Sequence, residues 1–127
     1  MLPKFEGVDA IEIVDLREVD VVDVADFMRN ATTAPVVRVE GEQAMRIHAL
    51  WTALPPAMQM RCHVPPFGLR FYRGPQLLGE ASICWRCNNI FGTAGGEEFH
   101  YQFSAGARAS QELLAIAREL TNSGADG

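Results

Sequence analysis

Positive charge is scarce in this chain of 127 residues. It contains 11 Lys and Arg against 16 Asp and Glu, which gives a formal net charge of −5, and Lys4 is its only lysine. A protein that binds duplex nucleic acid displaces counterions with a stripe of basic side chains. No such stripe is present in the sequence, so we expect no nucleic-acid partner. The preference for arginine and alanine over lysine is typical of a GC-rich genome and predicts a bacterial source.

Long apolar segments are also lacking. No run approaches the roughly 20 apolar residues that a membrane-spanning helix needs. Residues 1–6, MLPKFE, have neither the basic start nor the apolar stretch of a signal peptide. We therefore expect no membrane association and a cytoplasmic location.

The chain has few cysteines, and their number is odd. The three cysteines are Cys62, Cys84 and Cys87. A reducing compartment keeps such cysteines as thiols, and a disulfide framework is a feature of secreted proteins with even cysteine numbers. We expect no disulfide.

The remaining composition is that of one globular domain spanning residues 1–127. Hydrophobic residues make up 48% and charged residues 21%, and a chain of this length can bury one core. The order of periodic segments predicts an α+β fold, an antiparallel sheet with its long helices on one face. The predicted elements are strands over 10–14 and 35–39, helices over 20–30 (capped by Asp20) and 41–54, and a helix over 107–121. A three-stranded meander is predicted over 69–72, 81–87 and 99–103, with its second turn over 92–96. The valines of 20–30 also suit a strand.

The first hairpin of the meander has a preferred register. A turn of three residues over 74–76 places Arg70 opposite Glu80, which pairs opposite charges. The same register brings residues 62–63 beside residues 87–88.

Strand alternation divides the side chains of the meander between two faces. Ile83, Trp85 and Cys87 are predicted to face the core. Polar side chains share the other face and define a candidate binding patch. Its members are Arg70, Cys84, Arg86, Asn88, His100 and Gln102.

The Cys-x-x-Cys string at 84–87 has three interpretations. One is a zinc site, because thiolate and imidazole are ligands that zinc prefers, although regular pleating sends the two cysteines of the string to opposite faces. The four candidate ligands are Cys62, His63, Cys84 and Cys87. The second is thiol redox chemistry, although no helix follows the string to stabilise a thiolate. The third is a structural role without a cofactor, in which Cys62 and Cys87 are small core residues and Cys84 lies beside the polar patch.

Residues 62–70, CHVPPFGLR, and residues 83–89, ICWRCNN, carry a resemblance. They are similar to small bacterial proteins with a Cys-x-x-Pro-x-x-Gly-aliphatic-Arg segment followed by an Ile-Cys-aromatic-x-Cys strand. The likeness covers residues 61–91. It implies that the two cysteine segments form one hairpin unit, and it implies no reaction.

The charge distribution bears on function. Residues 1–60 contain ten acidic and five basic side chains, whereas residues 61–127 contain six of each. An acidic surface can receive a basic partner, or it can simply be solvated. The sequence shows no nucleophile with its base and no catalytic carboxylate pair. We therefore expect a non-catalytic domain that binds another protein, such as an inhibitor or immunity protein for a basic toxin or nuclease. The alternative is a thiol- or zinc-dependent site on the two cysteine segments.

Overall fold

The computed structural model describes residues 2–58 and 62–122. Six strands and three helices follow one another in this part of the chain, with a short 3₁₀ turn (Ala31–Thr33) after the first helix. They are β1 (Ala10–Asp15), α1 (Val24–Asn30), β2 (Val36–Glu40), α2 (Gly41–Thr52), β3 (Phe67–Arg73), β4 (Gln76–Cys84), β5 (Asn89–Ala94), β6 (Glu97–Gln102) and α3 (Arg108–Asn122).

The six strands form one antiparallel sheet with the order β2-β1-β3-β4-β5-β6. Helices α2 and α3 pack on one face of it. Trp51 and Ile47 of α2 and Leu113 of α3 are buried against sheet residues such as Phe71 and Ile83. The α+β fold and the C-terminal meander predicted from the sequence are therefore confirmed.

Helix α1 covers part of the opposite face. The ring of Phe27 lies over Gly68 of β3, where an added Cβ would be only 2.5 Å from the ring. A second, smaller cluster of buried apolar residues surrounds this contact. Its members are Val14, Leu16, Val21, Phe27, Ala31 and Ala34.

The predicted register of the β3–β4 hairpin is confirmed, but a different turn produces it. Arg70 pairs with Glu80, as expected from their opposite charges. The strands are joined at Arg73 and Gln76 by a two-residue turn, not by three residues. An irregularity between Phe71 and Tyr72 absorbs the extra residue of β4, since a bulge adds one residue to one strand of a pair.

The first helix begins later than predicted. It starts at Val24 because Asp23 is extended and its carboxylate accepts a hydrogen bond from the Asp26 amide at 2.8 Å. Asp20, the predicted cap, lies in the preceding loop. Both residues are suitable helix caps, and the packing of Phe27 on the sheet favours the later start.

The meander has four strands instead of three. The predicted strand over 81–87 ends at Cys84, and a tight turn follows in which Asn88 adopts a left-handed backbone (φ 57°). Asparagine tolerates this conformation better than most residues. Strand β5 then begins at Asn89, so the segment expected to form a turn over 92–96 is partly strand and turns at Gly95 and Gly96.

The helices of the described residues are all too short or too polar to cross a membrane.

Candidate functional site

A cleft of about 580 Å³ opens at the end of the sheet where β1 ends and β3 begins. One wall is the loop over 16–22, which connects β1 to α1. The other wall is the segment over 63–66, which leads into β3. We call this feature the acidic cleft, because acidic side chains surround its mouth.

Both walls of the acidic cleft are held by the backbone. The amide of Leu16 donates to the carbonyl of Pro66 at 2.9 Å, which extends the β1–β3 pairing by one residue. The side-chain amide of Asn30 donates to the carbonyl of Asp20 at 2.8 Å and ties the loop to α1. The cleft is thus formed by ordered backbone, as expected for a preformed binding site.

Arg17 lines the acidic cleft and is neutralised locally. Its guanidinium donates to both oxygens of Asp15, at 2.9 and 2.7 Å, and to the side chain of Asn122. This bidentate contact lowers the pKa of Asp15 and raises the pKa of Arg17. The ion pair of Asp15 and Arg17 therefore contributes no net charge to the cleft.

The acidic residues around the mouth are not neutralised in this way. Glu18, Asp20 and Asp23 are exposed, and none of the ion pairs among the described residues involves them. The described part of the mouth therefore carries an excess of acidic side chains. An excess of this kind attracts basic groups.

Two apolar side chains on opposite walls of the acidic cleft are left in water. Val22 and Val64 are each 62% exposed. Single exposed apolar residues are normal on protein surfaces. Here the two of them line one cleft, where they add apolar area to a concave surface.

His63 connects the cleft wall over 63–66 to the sheet. It is 5% exposed, and its ring stacks on Phe91 with the centroids 4.0 Å apart. Its Nδ1 lies 2.6 Å from Oδ1 of Asn89, and its Nε2 lies 2.7 Å from the hydroxyl of Ser82. Burial lowers the pKa of His63, and this effect outweighs the opposing hydrogen bond to Asn89.

The protonation of His63 follows from these contacts. The side-chain nitrogen of Asn89 donates to the carbonyl of Cys62, so Oδ1 of Asn89 accepts a hydrogen bond from the protonated Nδ1 of His63. Nε2 is then the acceptor for the hydroxyl of Ser82. This order resembles a nucleophile, a base and an orienting residue. However, Ser82 has no exposed surface, so its hydroxyl is not accessible to a substrate and the network serves to position the cleft wall.

The structure corrects the expectation of three free thiols. Cys62 and Cys87 form a disulfide, and Cys84 remains a buried free cysteine. The bond links the segment before β3 to the turn after β4. The β3–β4 hairpin brings these two segments together, and sequence spacing alone could not show that their Cα atoms would lie 5.5 Å apart.

The disulfide also bears on the zinc hypothesis. Two of the four candidate ligands, Cys62 and Cys87, are bonded to each other, and both ring nitrogens of His63 are engaged. Within residues 2–58 and 62–122, no group of three or more His, Cys, Asp or Glu side chains is arranged to hold a metal ion. Zinc binding therefore stays a prediction for the reduced protein, in which Cys62, Cys84 and Cys87 would all be thiols.

Arg70, a member of the predicted binding patch, is enclosed by other side chains. Its guanidinium lies 3.5 Å from Glu12 and 3.6 Å from Glu80, and it stands over the ring of Phe27. Only 15% of its side chain is exposed. Arg70 therefore holds α1 and three strands together and has little surface left for a ligand.

The other members of the predicted patch are separated in the structure. Cys84, His100 and Gln102 share a sheet face with Arg70, as the pairing of β4, β5 and β6 shows. Cys84 is buried and His100 is exposed at the sheet edge. Arg86 and Asn88 lie in the turn after β4. These residues do not form one continuous exposed patch.

The acidic cleft is the feature that sequence reasoning missed. The acidic excess of residues 1–60 was its only signal. The two exposed valines, Val22 and Val64, are 42 positions apart, and only the pairing of β1 with β3 brings their loops together.

Comparison with known proteins gives no match for this chain, whether against family models, curated proteins or solved structures.

Proposed function

We propose that the protein is a non-catalytic domain that binds a basic protein partner through the acidic cleft. The observation that carries this proposal is the combination of Val22 and Val64, two exposed apolar residues on facing walls, with uncompensated carboxylates at the mouth. A protein interface has the same composition, an apolar centre surrounded by a polar rim.

The chemistry of the cleft defines the segment that would fill it. An aliphatic or aromatic side chain would displace water from Val22 and Val64, and such anchors contribute most of the binding energy at interfaces. Lys or Arg residues beside the anchor would face Glu18 and Asp20. These rim charges would raise the association rate and make it sensitive to salt.

A binding role is supported further by the state of His63, which lines the cleft. Its Nε2 is engaged with the fully buried hydroxyl of Ser82, whereas a general base must lie within reach of the proton that it takes from a substrate. An inhibitor or immunity protein for a basic toxin or nuclease is a concrete form of this function, because the positively charged surface of such an enzyme would complement the rim.

The proposal is tested with a pair of matched variants. Val22→Glu combined with Val64→Glu places two charges inside the cleft. Met45→Glu is the control, since Met45 is 66% exposed on α2, outside the cleft. Each tagged protein is used to capture partners from a bacterial lysate, and the affinity of a captured protein is then measured by calorimetry after purification.

A true partner binds the wild type and Met45→Glu alike and loses about tenfold or more in affinity with the double cleft variant, as expected when an interface anchor is lost. Its affinity also falls as salt is raised, because the rim charges are exposed. A partner bound equally by all three proteins, or no partner at all, would refute the proposal.

A further inference from the structure

The three cysteines form a group in which one thiol lies beside a disulfide. The sulfur of Cys84 accepts a hydrogen bond from the backbone amide of Cys87 at 3.1 Å. The sulfur of Cys87 belongs to the same residue as that amide and is bonded to Cys62. The free thiol therefore contacts the backbone of the residue whose sulfur it would attack.

We propose that this group is a thiol–disulfide exchange site that delivers a reactive thiol to the protein surface. In the step, the sulfur of Cys84 attacks the sulfur of Cys87, and the proton of Cys84 passes to the departing sulfur of Cys62. The bond between Cys84 and Cys87 forms as the bond between Cys87 and Cys62 breaks, and the electron pair leaves on Cys62. No external oxidant or reductant is consumed, because the number of disulfides stays at one.

The surroundings of Cys84 suit the attacking role. Two backbone amides donate to its sulfur, that of Cys87 and that of Val64 at 3.4 Å. These two contacts fix the sulfur of Cys84 next to Cys87. The turn over 85–88, closed by the left-handed Asn88, keeps Cys84 and Cys87 on one tight loop, which is the spacing of exchangeable Cys-x-x-Cys pairs.

Burial decides which thiol reaches a substrate. Cys84 and Cys87 have no exposed surface, whereas Cys62 is exposed. Exchange would therefore convert a buried thiol into an exposed one. The exposed Cys62 thiol, once ionised, would attack a low-molecular-weight disulfide, form a mixed disulfide with one half and release the other half as a thiol.

The test uses glutathione disulfide on the purified protein with its Cys62–Cys87 bond intact and with no free thiol added. The reaction is stopped with acid, and the linkages are assigned by peptide mass mapping. We expect glutathione on Cys62 together with a new bond between Cys84 and Cys87. The Cys84→Ser variant, which cannot start the exchange, should acquire no glutathione.

The site of the adduct distinguishes the alternatives. Glutathione on Cys84 would mean that the buried thiol reacts directly, and the absence of an adduct in the wild type would mean that no exchange occurs. An equal adduct in the wild type and in Cys84→Ser would mean that glutathione reaches Cys62 without any attack by Cys84. Each of these three results would overturn the proposal.

A second variant tests whether the sulfurs of Cys84 and Cys87 can bond to each other. In Cys62→Ser, the same glutathione disulfide should close a bond between Cys84 and Cys87. If both thiols of this variant remain free under that treatment, the two sulfurs cannot pair and the proposal is wrong.

Discussion

His63 joins three parts of the chain through one side chain. Its two nitrogens contact Ser82 of β4 and Asn89 of β5, and its ring covers Phe91. It thereby positions the segment that forms one wall of the acidic cleft. From the sequence alone, His63 was a candidate zinc ligand. An isolated histidine provides no information about the partners that tertiary packing supplies, so its network could not be predicted.

Acidification should destabilise the protein through His63. In the unfolded chain its pKa is near the ordinary value of 6.5, whereas burial lowers it in the folded state. As the pH falls below 6.5, the unfolded state takes up a proton that the folded state resists, so the free energy of unfolding decreases. His48 adds to this trend, because burial and Lys4 lower its pKa as well.

The measurement is urea unfolding at about pH 7.5 and about pH 5.5, the range in which histidine titrates. The loss of stability between these two pH values should be smaller in His63→Gln than in the wild type. A wild-type stability that stays constant or rises on acidification would contradict this account.

The central strands of the meander are packed more closely than their hydrophobic pattern indicates. Gly92 of β5 faces the core, and a Cβ at this position would lie 2.4 Å from the carbonyl oxygen of Glu80 and 2.7 Å from the Cβ of Ala81. The sequence predicted a turn at this glycine, since glycine is common in turns. Its actual role is to allow close approach of β4 to β5.

Gly92→Ala should therefore lower the free energy of unfolding by about 1–3 kcal/mol, because the backbone of β4 would have to move to accommodate the methyl group. Gly106→Ala is the matched control, since no atom lies within 4 Å of an added Cβ there. Both variants are compared by urea denaturation. Equal stabilities would show that the sheet can relax around position 92.

Helices and strands differed in how well local pattern predicted them. The helix α2 (Gly41–Thr52) and the helix α3 (Arg108–Asn122) carry continuous apolar stripes and were predicted within two residues of their observed ends. The turn at 85–88 was missed because its residues alternate like a strand. Strand β4 in fact ends at Cys84, and the turn that follows closes at the left-handed Asn88. Alternation indicates a strand but does not locate its last residue.

On the scale of the whole molecule, the disulfide closes a loop between residues 25 positions apart. The chain-entropy relation gives a stabilisation of about 3.5 kcal/mol for a loop of this length. Reduction should therefore lower the free energy of unfolding substantially, and the exposure of Cys62 makes the bond accessible to a reductant.

The experiment compares thermal unfolding of the wild type with and without a reductant. The Cys62→Ser, Cys87→Ser double variant is the control and should not respond to the reductant, since only the thiol of Cys84 remains. An unchanged melting temperature of the wild type after complete reduction would mean that the hairpin holds the two segments without the bond.

The sequence by itself determined the α+β class, both long helices, the register of Arg70 with Glu80 and the acidity of the first half. These properties depend on residue periodicity, on direct neighbours and on composition, all of which can be read along the chain. Tertiary structure alone decided the network of His63 and the acidic cleft, and it decided that Cys62 and Cys87, which the predicted register had already placed side by side, are bonded. Each of these joins residues from segments that become neighbours only when β1, β3, β4 and β5 pair, so their chemistry is a consequence of the folded sheet.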